Sequence, residues 1–367
     1  MKKLAFKMLL SFALFASAAY GQIYTGTFED QAYLYQNFDF VPGQRVIFFD
    51  DFSTDNWYAN EYADVEQKPG VVSLPDNPNK WYKVPKNGVC YPKNFPVLPD
   101  EFTLEFDMWA DYEQMLEHQS GLITNFVSNK VKKDAFDIHF ERNPLIGLDI
   151  HPAQELLYCK AYKEYNDVNT EPLFDEQIEK GWGANKVHRI SIHRNKTHIK
   201  VYINEKKRMD LPNGLPKAIP YTLIFSTNMW GDGIYIANVR VATDVVNAPN
   251  NLNLSPFVTN TIYFNTNSAE LKAESMATLK QVAAAINATT GTVKITGHTD
   301  SDGTDADNLR LSQQRADNVK NVLITYYNVS ADKLITEGKG ETQPIDANNT
   351  TLAKATNRRV EFMKTAN

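Results

Sequence analysis

The stretch from Val293 to Leu323 constrains the fold more than any other part of this 367-residue sequence. An apolar run, Val293–Ile295, leads into Thr296-Gly297-His298-Thr299-Asp300, and a polar turn rich in Asp and Gly follows. Apolar residues then return at helical spacing, at Leu309, Leu311, Ala316, Val319, Val322 and Leu323. This order predicts a strand, a loop and a helix.

Two charged side chains stand on either side of the predicted loop. Asp300 ends the strand, and the pattern places Arg315 about one helical turn into the next element. A carboxylate accepts hydrogen bonds from an ammonium group, and a guanidinium donates a planar fork to a carboxylate. We therefore predict a shallow pocket for a zwitterionic ligand between Asp300 and Arg315.

The order of residues from about 257 to 362 resembles the OmpA-like peptidoglycan-binding domain. The matching motifs are Gly297-His298-Thr299-Asp300, Gly303, Asn308, Leu311-Ser312-Gln313-Gln314-Arg315-Ala316 and Asn357-Arg358-Arg359-Val360-Glu361. The resemblance implies that Asp300 and Arg315 grip the diaminopimelate of the peptidoglycan stem peptide. It also implies that Asn308 and Leu309 shape the pocket floor. Arg359 is expected to supply a second positive contact, with a structural ion pair as an equal alternative for Arg358 and Arg359.

Two further segments bear on this resemblance. Ile262–Phe264 matches the family's opening strand, and a helix is expected through Leu279 and Ile286. Residues 353–355 read Ala-Lys-Ala where the family usually has Gly-Arg-Ala. The positive charge is kept as Lys354, but the backbone freedom of glycine is lost.

Residues 1–21 are predicted to be a secretory signal peptide. A basic start, a short apolar run and small residues before Gln22 are typical of such segments. No cysteine follows the predicted cut, so no lipid anchor is expected, and no later run reaches the ~18 to 20 apolar residues of a membrane helix. We expect an exported protein of the periplasm, associated with the outer membrane or cell wall of a Gram-negative bacterium.

Residues 22–245 are predicted to form an all-β jelly-roll sandwich, with residues 22–44 assigned loosely. Alternating runs predict strands at residues 46–49, 102–109, 136–140, 188–193, 199–203 and 234–241. The order resembles concanavalin A-like and laminin-G-like domains, on Asp50–Ser53, Phe102–Phe106 and a hairpin at Lys200–Arg208. A linker at 246–256 then leads to an α+β OmpA-like domain at 257–367, giving a multidomain chain.

Jelly-roll sandwiches include glycoside hydrolases, so paired carboxylates deserve a test. Glu105 and Asp107 lie two apart on one predicted strand and face the same side, a spacing open to acid and base chemistry. The third acidic residue of such hydrolases is missing, and a solvated polar face is the preferred interpretation. Tryptophans could stack on sugars, although burial in the core is the commoner role: Trp57, Trp81, Trp109, Trp182 and Trp230.

Other chemistries have weak signals. A net charge of −6 argues against nucleic acid as a partner. The aspartates from Asp300 to Asp307 lack the order of a calcium loop, and no metal or cofactor is expected. Ser312 is interpreted as helix-start chemistry. Whether Cys90 and Cys159 form a disulfide is left open.

The sequence therefore predicts a non-enzymatic cell-envelope protein. Its C-terminal domain would anchor it to peptidoglycan without covalent chemistry. The sandwich would recognise a glycan or an outer-membrane protein partner. The alternative is an envelope-anchored glycoside hydrolase in which the sandwich is catalytic.

Overall fold

A computed structural model describes residues 38–60, 68–75, 77, 79–86, 88–111, 121–128, 145–153, 156–163, 174–178, 186–215, 220–227, 233–245, 248–253 and 255–365. The predicted signal peptide, the predicted strand at residues 136–140, Trp182 and Trp230 lie outside these ranges. Within them, no helix combines the length and the apolar character needed to cross a membrane.

Residues 38–245, called the β region below, contain antiparallel strands. They are β1 (Arg45–Asp50), β2 (Trp57–Asn60), β3 (Gly70–Ser73), β4 (Lys80–Lys83), β5 (Val89–Pro92), β6 (Glu101–Ala110), β7 (Leu122–Ser128), β8 (Leu145–Ala153), β9 (Leu156–Lys163), β10 (Phe174–Ile178), β11 (Val187–Asn195), β12 (His198–Ile203), β13 (Lys206–Leu211), β14 (Tyr221–Thr227) and β15 (Ile234–Thr243). In the described residues the first sheet runs β13-β12-β11-β6-β15-β4-β3, with β1 also paired to β15, and the second runs β10-β9-β8-β7-β14-β5-β2.

The two sheets share one apolar core. Successive side chains on a strand point to opposite faces, so every second residue can face the other sheet. Leu104 and Phe106 of β6 are buried in the same cluster as Phe126 of β7 and Phe225 of β14. The described part of the N-terminal region is mostly β-sheet, which confirms that part of the prediction. That the region is all β and of the jelly-roll type stays a prediction.

Several local predictions for the β region can be compared with the structure. The hairpin around Lys200–Arg208 is present as β12 and β13. Phe38 and Phe40 are buried, with ring centroids 5.7 and 5.3 Å from that of Tyr202, and they precede β1. Cys90 is a buried free thiol whose pKa is raised by burial, and the side chain of Cys159 lies outside the described part.

The C-terminal domain packs helices on one small sheet. Its elements are β16 (Phe257–Thr259), α1 (Ser275–Asn287), β17 (Val293–His298), α2 (Asp305–Tyr327), a 3-10 turn (Ala331–Lys333), β18 (Leu334–Gly340), α3 (Thr351–Asn357) and β19 (Val360–Lys364). The sheet order is β16-β19-β17-β18, and β17 and β18 are parallel. Leu279 of α1 and Leu323 of α2 are buried in one cluster with Ile295 of β17.

The opening strand of this domain differs from the prediction. Ile262–Phe264 is not a strand, because Phe264 forms only an isolated bridge with Leu271. The strand that pairs with β19 is instead β16. The prediction for residues 262–264 is therefore wrong, whereas the helix predicted through Leu279 and Ile286 is α1.

Helix α2 also begins earlier than its apolar pattern indicated. Thr304 caps it, since its hydroxyl accepts from the Asp307 N–H at 3.2 Å and donates to the Asp307 carboxylate at 2.8 Å. Arg315 therefore lies about three turns into the helix and not about one. Ser312 is buried inside the helix, so its interpretation as helix-start chemistry is wrong.

The C-terminal domain lies against the outer face of the first sheet. Asn260 donates to the Gln44 main-chain oxygen at 2.8 Å and accepts from Arg240 at 3.0 Å. Helix α3 packs against β1 at a second place. Polar residues that alternate with the core residues of the first sheet thus face another domain.

Candidate functional site

Helix α2 approaches strands β17 and β18 so closely that only glycine fits between them. A Cβ atom on Gly297 would lie 2.4 Å from the Ser312 main-chain oxygen. A Cβ atom on Gly338 would lie 2.4 Å from the Gln313 nitrogen. Neither distance leaves room for a side chain. The two glycines therefore fix the helix on the sheet, and with it the position of Arg315 relative to the end of β17.

Asp300 lies just beyond β17 and is 8% exposed. Its Oδ1 accepts from the Asp302 N–H at 3.1 Å, and its Oδ2 pairs with Nη1 of Arg358. Its main-chain oxygen accepts from the Asn308 side chain at 3.2 Å. The turn and the helix together hold this carboxylate in one orientation.

Arg315 reaches from helix α2 toward the same place. Its Nε donates to the Ser268 main-chain oxygen at 3.0 Å, and its guanidinium carbon lies 4.8 Å from the centre of the Phe264 ring. Among the described residues, its two terminal nitrogens make no hydrogen bond and no ion pair. Burial and the neighbouring Arg358 lower the pKa of Arg315 to about 10, although Asp300 raises it. A partly buried cation thus keeps free donor groups for an anion.

The second guanidinium near Asp300 belongs to Arg358. Arg359, the residue named from the sequence, is 5% exposed and donates through Nε to Glu361 at 2.8 Å. The extended chain that leads into β19 points neighbouring side chains in opposite directions, so Arg358 faces the other way. Arg359 and Glu361 lie two apart in the extended chain at the start of β19, and this spacing was the signal that could have separated the two arginines. The three residues Asp300, Arg315 and Arg358 are called the ligand pocket below.

Asn308 and Leu309 take different positions around this pocket. Asn308 is 4% exposed, and its amide donates to Asp300 and, at 2.5 Å, to Glu341 Oε2. The Asn308 side chain therefore holds the turn that follows Asp300 in place. The Leu309 side chain is 52% exposed, so it lies on the surface of α2.

Two further titratable side chains, Lys354 and His298, lie near the elements that form the pocket. Lys354, at the position where the sequence departs from the family pattern, pairs with Asp302 at 2.6 Å at the surface. His298 is 2% exposed, and its Nε2 lies 3.3 Å from Glu361 Oε1. Burial and Arg359 lower the pKa of His298 to about 4, although Glu361 raises it. His298 is therefore neutral at physiological pH.

The two carboxylates of the hydrolase alternative lie elsewhere. Glu105 and Asp107 on β6 are 0% and 4% exposed. Arg240 of β15 donates to Glu105 at 2.8 Å, and Arg189 of β11 donates to Asp107 at 3.0 Å and to Glu105 at 3.2 Å. The prediction of a solvated polar face is wrong, because the C-terminal domain covers this side of the sheet.

Residues of both domains complete this buried charge network. Asn238, with φ 51°, lies at a bulge in β15 and donates to Asp107 at 2.7 Å. From the C-terminal domain, the Tyr263 hydroxyl donates to Glu105 at 3.2 Å, and Glu274 lies 3.7 Å from Arg189. Burial by itself raises the pKa of Asp107, but Arg189 and Lys272 outweigh it and hold that pKa below its usual value. Asp107 is therefore charged, and arginines pair with both carboxylates.

Comparison with known proteins concerns the C-terminal domain. Residues 263–358 match the family model described as "OmpA family". The chain is 42% identical over 119 residues to the probable lipoprotein YiaD of Escherichia coli, covering 32% of this chain and 49% of that protein. It is 38% identical over 101 residues to outer membrane porin F of Pseudomonas aeruginosa, covering 27% of this chain and 29% of that protein.

A solved structure matches a similar share of the chain. The cell wall anchor of the T6SS from Pseudomonas aeruginosa is 30% identical, covers 30% of this chain and 81% of that chain, and has a TM-score of 0.28. The chain spans about half or less of the length of the two curated relatives. The β region lies outside the residues that the family model matches. Residues 263–358 form a domain of the OmpA family.

Proposed function

We propose that the chain binds peptidoglycan without covalent chemistry, through the ligand pocket. The observation that carries this proposal is the guanidinium of Arg315, whose terminal nitrogens have no partner among the described residues. It interacts electrostatically with Asp300, a carboxylate of fixed orientation. The OmpA family match of residues 263–358 supports peptidoglycan as the ligand class. Binding would hold the protein in the periplasm of a Gram-negative bacterium, next to the outer membrane.

The group recognised is the diaminopimelate of the stem peptide. Its ammonium donates to Asp300, and its carboxylate accepts from the free nitrogens of Arg315. In the structure, Arg358 pairs with Asp300. When the ligand ammonium takes over that contact, Arg358 can donate to the ligand carboxylate as well. The pocket thus has one negative and two positive groups for a ligand end with one positive and one negative group.

The β region is proposed to be a recognition module without enzymatic activity. Its partner would be a glycan or an outer-membrane protein. Glu105 and Asp107 do not support the hydrolase alternative, since arginines hold both carboxylates beneath the C-terminal domain. A carboxylate enclosed in this way cannot reach a polysaccharide.

The test is co-sedimentation of the chain from residue 22 onward with purified sacculi. Asp300→Asn and Arg315→Met each remove a charged hydrogen-bond partner at the pocket, which should weaken binding by about 2 to 4 kcal/mol. Arg310→Met is the matched control, because Arg310 lies on the same helix with its side chain 70% exposed and, among the described residues, forms an ion pair with Asp307 alone. The control should bind like the wild type.

Sacculi that carry lysine in place of diaminopimelate test the ligand. Lysine keeps the ammonium but lacks the second carboxylate, so the wild type should be retained on the diaminopimelate form only. Loss of retention in both pocket variants supports the proposal. Equal retention of all variants, or of both kinds of sacculi, would overturn it.

A further inference from the structure

The ligand pocket borders the β region. Phe49, near the end of β1, lies with its ring centre 5.3 Å from the guanidinium carbon of Arg358. The same guanidinium pairs with Asp300. Arg358 is therefore held between an aromatic ring of one domain and a carboxylate of the other, with its side chain 35% exposed.

Other groups near Arg358 also lie between the same two domains. Helix α3, which ends just before Arg358, packs against β1. Asp302 most strongly, and to a smaller degree Asp300 and Asp51, raise the pKa of Lys354. Asp51 belongs to the β region, so an acidic group of that region also lies near the rim of the pocket.

The buried charge network keeps this arrangement in place. Glu105 of the β region meets Tyr263 of the C-terminal domain, and Arg189 meets Glu274. These contacts join the domains through residues other than those of the pocket. The Phe49 ring is consequently presented to Arg358 by a docked sheet and not by a free loop.

We propose that Phe49 of the β region is a positioning residue of the ligand pocket, which makes the pocket a site of two domains. This inference rests on the proposed function. A guanidinium stacked on an aromatic face keeps its N–H groups in one plane, and a side chain ordered before binding loses less entropy when the ligand arrives. The ring holds the plane of Arg358 while its edge stays available to the ligand carboxylate.

The experiment measures the affinity of a soluble muropeptide with a diaminopimelate stem peptide, by isothermal titration calorimetry on the chain from residue 22 onward. Phe49→Leu keeps an apolar side chain but removes the ring face, and it should weaken binding about three-fold. Phe49→Tyr keeps the ring face and should bind like the wild type. Phe48→Leu is the control, because Phe48 lies on the same strand and its ring packs at 5.0 Å against Phe95.

A double substitution separates positioning from general damage. In an Arg358→Met background, Phe49→Leu should cause no further loss, since the guanidinium it positions is gone. An equal three-fold loss in that background, or an unchanged affinity of Phe49→Leu alone, would overturn the inference while the proposed function stands. No binding by the wild type would overturn the proposed function and this inference with it.

Discussion

Two clusters of acidic and basic side chains in this molecule differ in how completely their charged groups are paired. In the buried charge network, Glu105 and Asp107 each accept hydrogen bonds from an arginine, and both domains contribute partners. In the ligand pocket, Asp300 has an arginine partner, but the terminal nitrogens of Arg315 have none within the described residues. The same residue types dock a domain where their charges are matched, and we propose that they bind a ligand where the terminal nitrogens of one guanidinium have no partner among the described residues.

Desolvation explains why the two clusters should respond differently to substitution. Removing one partner from a buried ion pair leaves an uncompensated charge in a poor solvent. In the network such a charge would stay out of contact with water, since Glu105 is 0% exposed. The pocket opens to solvent through Arg358, so changes there should act on binding more than on folding.

The largest effect is expected for Glu105→Ala. It removes the ion-pair partner of Arg240 in the described part of the chain and one of the acidic partners of Arg189, so the free energy of unfolding should fall by about 3 to 5 kcal/mol. Urea unfolding followed by circular dichroism measures it. Glu101→Ala, on the same strand with a side chain 47% exposed, should stay within about 1 kcal/mol of the wild type. Equal losses for the two variants would show that the network does not stabilise the docked domains.

The next largest effect is expected for Arg315→Lys, which tests whether changes in the pocket act on binding more than on folding. Lysine keeps the charge but cannot donate a planar fork, so muropeptide affinity should fall about ten-fold, or about 1.4 kcal/mol. Unfolding should change less than binding, since among the described residues the guanidinium donates one hydrogen bond, from Nε to the Ser268 main-chain oxygen. Arg310→Lys is the control in the same calorimetric titration. A large loss of stability with unchanged affinity would assign Arg315 a structural role instead.

A smaller effect is expected from pH at His298. Its pKa is about 4 in the folded protein and near 6.5 in the unfolded chain, so between these values only the unfolded chain takes up the proton. Stability therefore falls as the pH falls through this window, by about 1.5 kcal/mol between pH 6.5 and 5. Urea unfolding at a series of pH values measures it. His298→Asn should flatten this part of the profile, and an unchanged slope would contradict the assignment.

The smallest effect is expected for Lys354→Met. Lys354 pairs with Asp302 at the surface, where the Asp302 side chain is 69% exposed. Such pairs contribute about 0 to 1 kcal/mol, so the unfolding midpoint should hardly move. Asp302→Asn should give a similar result. A loss as large as that of Glu105→Ala would place Lys354 among the groups that hold the domains together.

The pair Asp300 and Arg315 could be found from the sequence because each residue is positioned by a local pattern. A strand that ends in Asp300 and a helix that carries Arg315 meet once the strand and helix pack on each other. The start of the helix was missed because its first turn, residues 305–308, is polar and has no apolar period. Thr304 followed three residues later by Asp307 was the capping signal that could have corrected it.

Contacts between the two domains could not be predicted in this way. Glu105 and Tyr263 are 158 positions apart in the sequence, and no periodicity links them. Alternation on β6 correctly predicted two faces, one apolar and one polar. It did not reveal that another domain covers the polar face, so buried carboxylates were expected to be solvated. The meeting of Phe49 and Arg358 was hidden for the same reason.

The two separate places where the domains touch have a mechanical consequence. A pull on a bound ligand would enter the chain at Asp300 and Arg358, next to β1. The network around Arg240 and Asn260 joins the same domains elsewhere. Force would then cross between the domains through both sets of contacts together, and not along the linker alone. Contacts that bear a load together resist more force than contacts that break one at a time. The two domains would therefore move as one body under load and would not pivot about the linker.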